Sequence, residues 1–364
     1  MDLKKALVML GTLTMPNLLS PASPARFWAW LRYTIAVSKR SDLRVTMDFA
    51  DLDPHQKGIL SDDFGVAVST QWIYDRLGGF RGIVDGRRFM LRFSHLMKRK
   101  KVAKAKVGPG KAPDFVIQDL QGKWHVLECK GTQSGRSARN AFLKTARVQK
   151  NIIQIVQSVR GERLAAGLSI SNDANRKPSQ LRIIDPADET ESELTLGENQ
   201  EKEMQSAAHR IAVARALGVV GLSEAAMEMW LPEEVVGADD FLRPSELLRL
   251  RQSRRQRSEK ATRQIKDSAL EPFQRDHRRY QGRSFSFSMP QLGIESDVGE
   301  ISVKVGVSDD LLRSVESSPT RTTDLGEAAE PFAANARVVL ESSEDRAVLR
   351  YGELLYAEFK VTAG

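Results

Sequence analysis

Apolar and polar positions follow their most regular pattern between residues 61 and 184. A helix is predicted to begin at Ser61-Asp62-Asp63, which is typical of an N-cap, and to end at Gly78-Gly79. Phe89, Leu91 and Phe93 then alternate with other residues and predict a strand with one buried face.

Two short runs, residues 114–118 and 124–130, predict a β-hairpin because Asp119-Leu120-Gln121-Gly122 between them is typical of a turn. Apolar residues spaced between 142 and 159 predict a long amphipathic helix whose other face is basic. Further strands are expected at residues 164–171 and 181–184.

The second half of the chain is less regular. A helical pattern covers residues 199–229, and an arginine-rich segment from 243 to 279 is typical of a solvated helix face. Residues 283–288 and 301–307 look like strands, whereas 314–331 is rich in Ser, Thr, Pro and Glu and predicts a loop. We therefore expect an N-terminal extension (1–54), a central domain (55–190) and a C-terminal α+β domain (191–364) for recognition or oligomerisation.

Composition indicates a folded protein with a basic surface and without disulfide bonds. The 364 residues are 41% apolar, enough for one large core or two ordinary ones. The 55 Lys and Arg residues exceed the 47 Asp and Glu residues, which favours phosphate partners, although solubility alone would also account for a charge of +8. The single cysteine, Cys129, excludes an internal disulfide and fits a reducing compartment.

The N-terminus carries a weak signal-peptide pattern, with Lys4 and Lys5 before an apolar run that Thr12 and Thr14 interrupt. No segment approaches the roughly 20 apolar residues that a membrane span needs. The expectation is a cytoplasmic protein that does not contact a membrane.

The hairpin brings chemistry-bearing residues together. With a turn centred between Leu120 and Gln121, cross-strand partners have numbers that sum to about 241, so Asp114 lies opposite residue 127 or 128. Glu128 and Lys130 are two positions apart and share a face of the sheet. Two neighbouring carboxylates repel each other unless a cation lies between them.

This arrangement suits phosphodiester hydrolysis with Mg²⁺ or Mn²⁺, which prefer carboxylate oxygens and accept phosphate oxygens as further ligands. Asp114 and Glu128 would bind the metal, with the backbone carbonyl of Cys129 as an additional ligand. Lys130 would orient or deprotonate the attacking water, or stabilise negative charge in the transition state. The alternative is a surface hairpin with a simple ion pair between Glu128 and Lys130.

Pro113-Asp114 followed by Glu128-Cys129-Lys130 resembles the PD-(D/E)xK motif of the restriction-endonuclease-like nuclease superfamily. The resemblance covers roughly residues 61–186, and it implies an α/β fold with a mixed central sheet flanked by helices. It also implies a metal-dependent DNA endonuclease, with restriction or antiviral defence as the biology by analogy. RNA stays open as a substrate.

Members of this superfamily often add an acidic residue from the first helix, which here means Asp62 or Asp63. We assign Asp63 to the metal, with an N-cap role as the alternative. The Gln-x-x-x-Tyr pattern of the exonuclease-like branch is not found, because position 153 is Ile and position 158 is Ser.

Basic residues flank the motif on both sides and predict a surface that follows a phosphate backbone. A solvated face is the alternative. The predicted contacts are Lys98, Arg99, Lys100 and Lys101 in a loop, and Arg136, Arg139, Lys144, Arg147, Gln149 and Lys150 in the following helix. Two rival interpretations are a nucleic-acid-binding protein that does not cleave, and a scaffold subunit. Self-association and a defence-system partner protein are both open.

Overall fold

The computed structural model of the chain describes residues 2–13, 33–38, 42–93, 96, 112–156, 159–185, 192, 194–230, 244–292, 298–317, 331–332 and 336–364. The helices in these ranges are α1 (Leu3–Leu13), α2 (Met47–Ala50), α3 (Pro54–Leu77), α4 (Gly86–Arg92), α5 (Gly135–Lys150), α6 (Glu201–Val219), α7 (Ser223–Trp230), α8 (Pro244–Lys266) and α9 (Asp309–Ser317).

The strands range from two residues in β1 to eleven in β11 and β12. They are β1 (Arg44–Val45), β2 (Phe80–Asp85), β3 (Phe115–Asp119), β4 (Trp124–Thr132), β5 (Ile153–Ile155), β6 (Arg160–Ser169), β7 (Ser171–Asn172), β8 (Gln180–Ile184), β9 (Leu194–Leu196), β10 (Glu271–Arg275), β11 (Arg278–Ser288), β12 (Val298–Ser308), β13 (Val338–Ser342), β14 (Arg346–Tyr351) and β15 (Leu355–Ala363).

Eleven of these strands form one sheet in the order β10-β11-β12-β15-β14-β13-β2-β3-β4-β6-β8. The β4–β6 pair is parallel and the other described pairs in this sheet are antiparallel. A parallel pair needs a crossover connection, and α5 is part of that connection. The predicted mixed sheet flanked by helices is thus confirmed at the level of an α/β architecture.

The C-terminal strands continue the sheet of the central strands. β13 meets β2 through a single residue pair, Val338 with Phe80. One buried apolar cluster runs across this junction and includes Phe80, Ile83 and Leu349 together with residues of α1 and α3. Burial of this apolar surface on both sides of a weak strand contact therefore holds the two parts of the sheet together.

Helix α3 begins earlier than its sequence predicts. Asp53 is the N-cap, and its carboxylate accepts hydrogen bonds from the N–H groups of His55 and Gln56. The prediction of an N-cap at residues 61–63 is wrong, because Ser61 lies inside the helix and its hydroxyl bonds to the carbonyl of Lys57. The predicted end is confirmed, since Gly78 is the C-cap with a φ of 67°.

Two apolar runs take a different structure from the predicted one. The predicted strand over residues 89–93 is wrong, because Phe89 lies in α4 and Phe93 directly follows it. The two rings are one helical turn apart and pack with their centroids separated by 5.0 Å. Alternating apolar residues in so short a run also satisfy helical spacing. The predicted helix over 142–159 ends at Lys150, and Ile153–Ile155 forms β5, which pairs with β9.

The remaining predictions mostly agree with the structure. Strands β8, β11 and β12 cover the predicted ranges, and β6 covers 164–169 of the strand predicted over 164–171. The helical pattern at 199–229 is divided into α6 and α7 near Gly221, whose φ is 92°. Of the predicted loop at 314–331, residues 314–317 belong to α9 and 318–330 lie outside the described residues. None of the described helices is long and apolar enough to cross a bilayer.

Candidate active site

The hairpin of β3 and β4 places Asp114 beside Glu128. The turn is held by Asp119, whose Oδ1 accepts from the N–H groups of Gln121 and Lys123 at 2.9 and 2.8 Å. Phe115 pairs with Leu127, so the next position along each strand brings Asp114 opposite Glu128. The predicted cross-strand neighbourhood is confirmed.

The two acidic residues are tied to each other's strand. The Asp114 N–H donates to Oε2 of Glu128 at 3.0 Å, and Oδ2 of Asp114 accepts from the Cys129 N–H at 2.7 Å. Lys130 joins them, because its Nζ donates to Oε1 of Glu128 at 2.5 Å. These three bonds fix both carboxylates and the ammonium group in one cluster.

Burial differs sharply within this cluster. The Glu128 side chain is 0% exposed, whereas the Lys130 side chain is 26% exposed and Asp114 is half-buried. A substrate could therefore reach Lys130 directly, while Glu128 lies beneath it.

Helix α3 crosses β4 at Gly131 and brings a further carboxylate to the cluster. A Cβ atom on Gly131 would lie 1.6 Å from the Ser61 carbonyl oxygen, and one on Gly65 would lie 2.7 Å from the Gly131 nitrogen. Only glycine permits so close an approach. Asp62 is consequently close to the Gly131 backbone and within electrostatic range of Lys130.

Asp62, not Asp63, is the helix residue beside the cluster. The carboxylate of Asp63 accepts a hydrogen bond from the Tyr33 hydroxyl instead. Consecutive helix residues point about 100° apart, so α3 can present only one of the two to the site. The assignment of Asp63 to the metal is corrected accordingly.

Sequence reasoning missed Asp85, which ends β2 and caps α4. Its carboxylate accepts from the Arg88 N–H at 2.8 Å, and its negative charge helps to raise the pKa of Asp114. The neighbouring Gly86 N–H donates to the Asp114 carbonyl at 2.9 Å. An Asp-Gly pair directly after the apolar residues of a strand was the available signal.

The acidic groups are difficult to ionise together. Burial raises the pKa of Glu128 to about 8, and the negative charge of Asp114 adds to this effect while Lys130 opposes it. Burial also raises the pKa of Asp114, although the Cys129 N–H and Lys130 oppose the rise. Burial lowers the pKa of Lys130, but the hydrogen bond to Glu128 and the negative potential of Glu128 and Asp114 together outweigh burial, so this pKa lies above its ordinary value. Lys130 is therefore an ammonium at neutral pH.

The donor atoms of the cluster fit a hard divalent cation. Among the described residues, no group of three His, Cys, Asp or Glu side chains is placed to hold a metal ion. Mg²⁺ commonly uses one or two carboxylates and completes its shell with water and phosphate oxygens. Asp114 and Glu128 offer such a pair, and a cation there would ease the repulsion that burial intensifies.

The backbone of Cys129 faces the same place. The N–H and C=O of one strand residue point to the same edge of the strand. Since the Cys129 N–H reaches Asp114, its carbonyl oxygen lies along that edge as well.

The side chains of Cys129 and His125 are buried in the interior of the protein. Cys129 is 5% exposed in the main apolar cluster, and burial raises the pKa of its thiol well above the ordinary value. His125 is 3% exposed; its Nε2 lies 3.0 Å from Oδ2 of Asp119, and its Nδ1 accepts from the Glu162 N–H. Both side chains are therefore packed in the interior rather than placed at the cluster.

The predicted basic surface is retained only in part. Lys98, Arg99, Lys100 and Lys101 lie outside the described residues. In α5, the exposed members of the predicted set are Arg136, Lys144 and Arg147.

The other three predicted contacts on α5 are engaged within the protein. Arg139 and Lys150 are buried: Arg139 donates to Oε1 of Gln180 at 2.7 Å, and Lys150 lies 3.8 Å from Asp185. Gln149 donates to the Ala112 carbonyl at 3.4 Å. The prediction of surface contacts is therefore corrected for Arg139 and Lys150, because α5 turns that side toward the sheet.

No protein-family model matches the chain, and no match was found among curated proteins or among solved structures. The resemblance to the PD-(D/E)xK superfamily thus depends on the motif and on the geometry of the hairpin.

Proposed function

We propose that this protein is a divalent-metal-dependent nuclease that hydrolyses DNA phosphodiester bonds at Asp114, Glu128 and Lys130. The observation that supports the proposal is the set of three hydrogen bonds that joins two carboxylates on neighbouring strands to one ammonium. An isolated surface ion pair would not bury Glu128 completely or tie Asp114 to the backbone of β4.

Asp114 and Glu128 would hold the metal, with the Cys129 carbonyl as a third oxygen donor. When bound, Mg²⁺ or Mn²⁺ supplies a more acidic water and charge neutralisation at the phosphate. Asp62 lies at the exposed side of the cluster, where its carboxylate can orient water molecules.

Lys130 acts as a cation rather than as a base. Its pKa lies above the ordinary value, so it keeps its proton at neutral pH. A partly exposed ammonium held by Glu128 can donate to a phosphate oxygen and stabilise the extra negative charge of the transition state. Proton removal from the attacking water then falls to another acceptor, such as solvent or a carboxylate.

DNA is the proposed substrate because it is the usual target of the superfamily that the motif resembles. Restriction or antiviral defence in the cytoplasm is the proposed setting by the same analogy. RNA cleavage and self-association, or a partner protein in a defence system, are open extensions of the proposal.

Cleavage assays test the proposal directly. The purified full chain is incubated with supercoiled plasmid, linear duplex, single-stranded DNA and RNA, with Mg²⁺, Mn²⁺ or excess chelator. We expect metal-dependent cleavage of DNA, and a loss of at least about 100-fold in D114N, E128Q and K130M because each change removes a ligand or a transition-state charge.

Glu162→Gln is the matched control. The Glu162 carboxylate forms an ion pair with Arg76 at 2.7 Å, and this pair is not part of the cluster. It should cleave as the unchanged protein does. Binding without cleavage in every metal would favour a non-catalytic nucleic-acid-binding protein. If the protein neither binds nor cleaves nucleic acid, a scaffold role is favoured. Either of these two outcomes would overturn the nuclease proposal.

A further inference from the structure

A second surface feature lies on the far side of α5 from the catalytic cluster. It is a groove of about 230 Å³ between α5 and β8, lined by Asn140, Leu143, Lys144, Arg147, Arg182 and Ile184. β8 is the last strand at this end of the eleven-stranded sheet, so the groove opens at the sheet edge.

Strand register relates the groove to the catalytic cluster. Lys130 pairs with Gly167 and Gly167 pairs with Arg182, so these three residues form one row across the sheet. Side chains in such a row point to the same face, and neighbouring strands are about 4.8 Å apart. The backbones of Lys130 and Arg182 are therefore roughly 10 Å apart, with both side chains on one face.

Helix α5 lies over the middle of this row. Leu143 and Ala146 pack with Ala165 of β6, and a Cβ atom on Gly167 would lie 2.9 Å from Leu143. The helix therefore separates the catalytic cluster from the groove, and a long ligand could contact both sides of it.

Basic side chains line the groove and lie beside it: Lys144, Arg147 and Arg182 are in its wall, and Arg139 and Arg136 are close to Arg182. Burial lowers the pKa of Arg139, and the positive charges of Arg182 and Arg136 lower it further. Neutral amide oxygens hold these groups in place: Asn140 Oδ1 accepts from Arg139 at 2.9 Å and from Arg182 at 3.1 Å. Within the described part of the chain, no carboxylate forms an ion pair with Arg136, Arg139 or Arg182. The positive potential of these groups beside Lys144, Arg147 and Arg182 in the groove favours an anion.

We propose that this groove binds the phosphate backbone of the nucleic acid at a point separate from the bond that is cut. This inference depends on the proposed nuclease function and adds a second contact region for its substrate. Lys144, Arg147 and Arg182 would contact phosphates, while Leu143 and Ile184 form an apolar floor against sugars. A separation of roughly 10 Å corresponds to about three base-pair steps of a duplex, since each step rises about 3.4 Å along the helix axis.

Salt-dependent binding distinguishes phosphate contact from a structural role. Fluorescence anisotropy is measured in chelator with a labelled 24-nucleotide DNA, as duplex and as single strand, from low to moderate salt. We expect Arg182→Gln to weaken binding about five- to tenfold and to reduce the slope of log affinity against log salt by about 0.9 for duplex or 0.7 for single strand. Arg182→Glu should weaken binding further.

Arg346→Gln is the matched control. Arg346 is exposed and lies 3.6 Å from Glu358 in a cluster of mixed charge, so its removal should leave both affinity and slope unchanged. If Arg182→Gln lowers the melting temperature, Lys144→Gln tests the same surface with an exposed side chain on the outer face of α5.

The two proposals fail in different ways. Unchanged affinity and slope in Arg182→Gln and Lys144→Gln, with normal DNA cleavage, would overturn the groove and leave the nuclease in place. Weaker binding with a smaller slope in both variants, without cleavage by the unchanged protein, would support the groove as a nucleic-acid surface and overturn the nuclease.

Discussion

The Glu128 carboxylate is expected to be needed for metal binding, but its negative charge destabilises the folded protein because it is buried. This residue is fully buried, and burial together with Asp114 raises its pKa to about 8. In E128Q the amide keeps the shape and a hydrogen-bond acceptor but cannot ionise. We expect E128Q to be inactive as a nuclease and more stable than the unchanged protein at neutral and alkaline pH.

The size of the effect follows from proton linkage. Between the ordinary pKa of 4.5 and about 8, the folded protein keeps a proton on Glu128 that the unfolded chain has released. The stability associated with that proton is fully present below pH 4.5 and is lost as the pH rises through 8. The free energy of unfolding should fall by about 1.4 kcal/mol for each pH unit, or roughly 3 kcal/mol from pH 5 to 7.5.

Urea unfolding in chelator at several pH values measures this slope for both proteins. The difference in stability between E128Q and the unchanged protein should grow with pH, because other titrating groups are common to both. Added Mg²⁺ should flatten the slope of the unchanged protein alone, since a cation stabilises the ionised carboxylates. Parallel pH profiles for the two proteins would refute the reasoning.

Three further predictions concern packing around the site. Gly131→Ala should lower the free energy of unfolding by about 3 kcal/mol or more, because the added Cβ would overlap the Ser61 carbonyl. An unchanged melting temperature would contradict this, since it would mean that α3 can move away at no cost. His125→Ala should cost about 2 kcal/mol, since it removes the hydrogen bond to Oδ2 of the buried Asp119 carboxylate; a change below about 0.5 kcal/mol in urea unfolding would contradict this. Cys129 should react with a thiol reagent slowly when folded and rapidly in urea, because the thiol is buried and its pKa is raised, and equal rates would exclude that burial.

The central hairpin and its acidic pair could be predicted from the sequence. Turn residues at 119–122 fix the register locally, and register determines which residues face each other across a hairpin. The neighbourhood of Asp114, Glu128 and Lys130 followed from that register alone. The choice of Asp62 over Asp63 did not, because it depends on how α3 crosses β4 at two glycines far apart in sequence.

Which residues of α5 are exposed could also not be predicted from the sequence. Arg139 and Lys150 belong to a basic helix pattern, yet they are buried, and Phe142 and Val148 are exposed at 44% and 49%. An amphipathic pattern gives the period of a helix, but the surfaces that cover it decide which polar residues find buried partners. Arg182 comes from β8 and entered the groove only through the order of strands in the sheet.

By itself, the sequence determined the features that local chemistry controls: the turn at Asp119, the glycine cap at Gly78, the alternation of β4 and most strand positions. The tertiary structure decided how distant segments meet, including the sheet junction at Val338 and Phe80 and the fate of short apolar runs such as 89–93. The physical reason is that hydrogen bonds and backbone preferences act over a few residues, whereas apolar burial is non-directional and is settled only when all elements pack together.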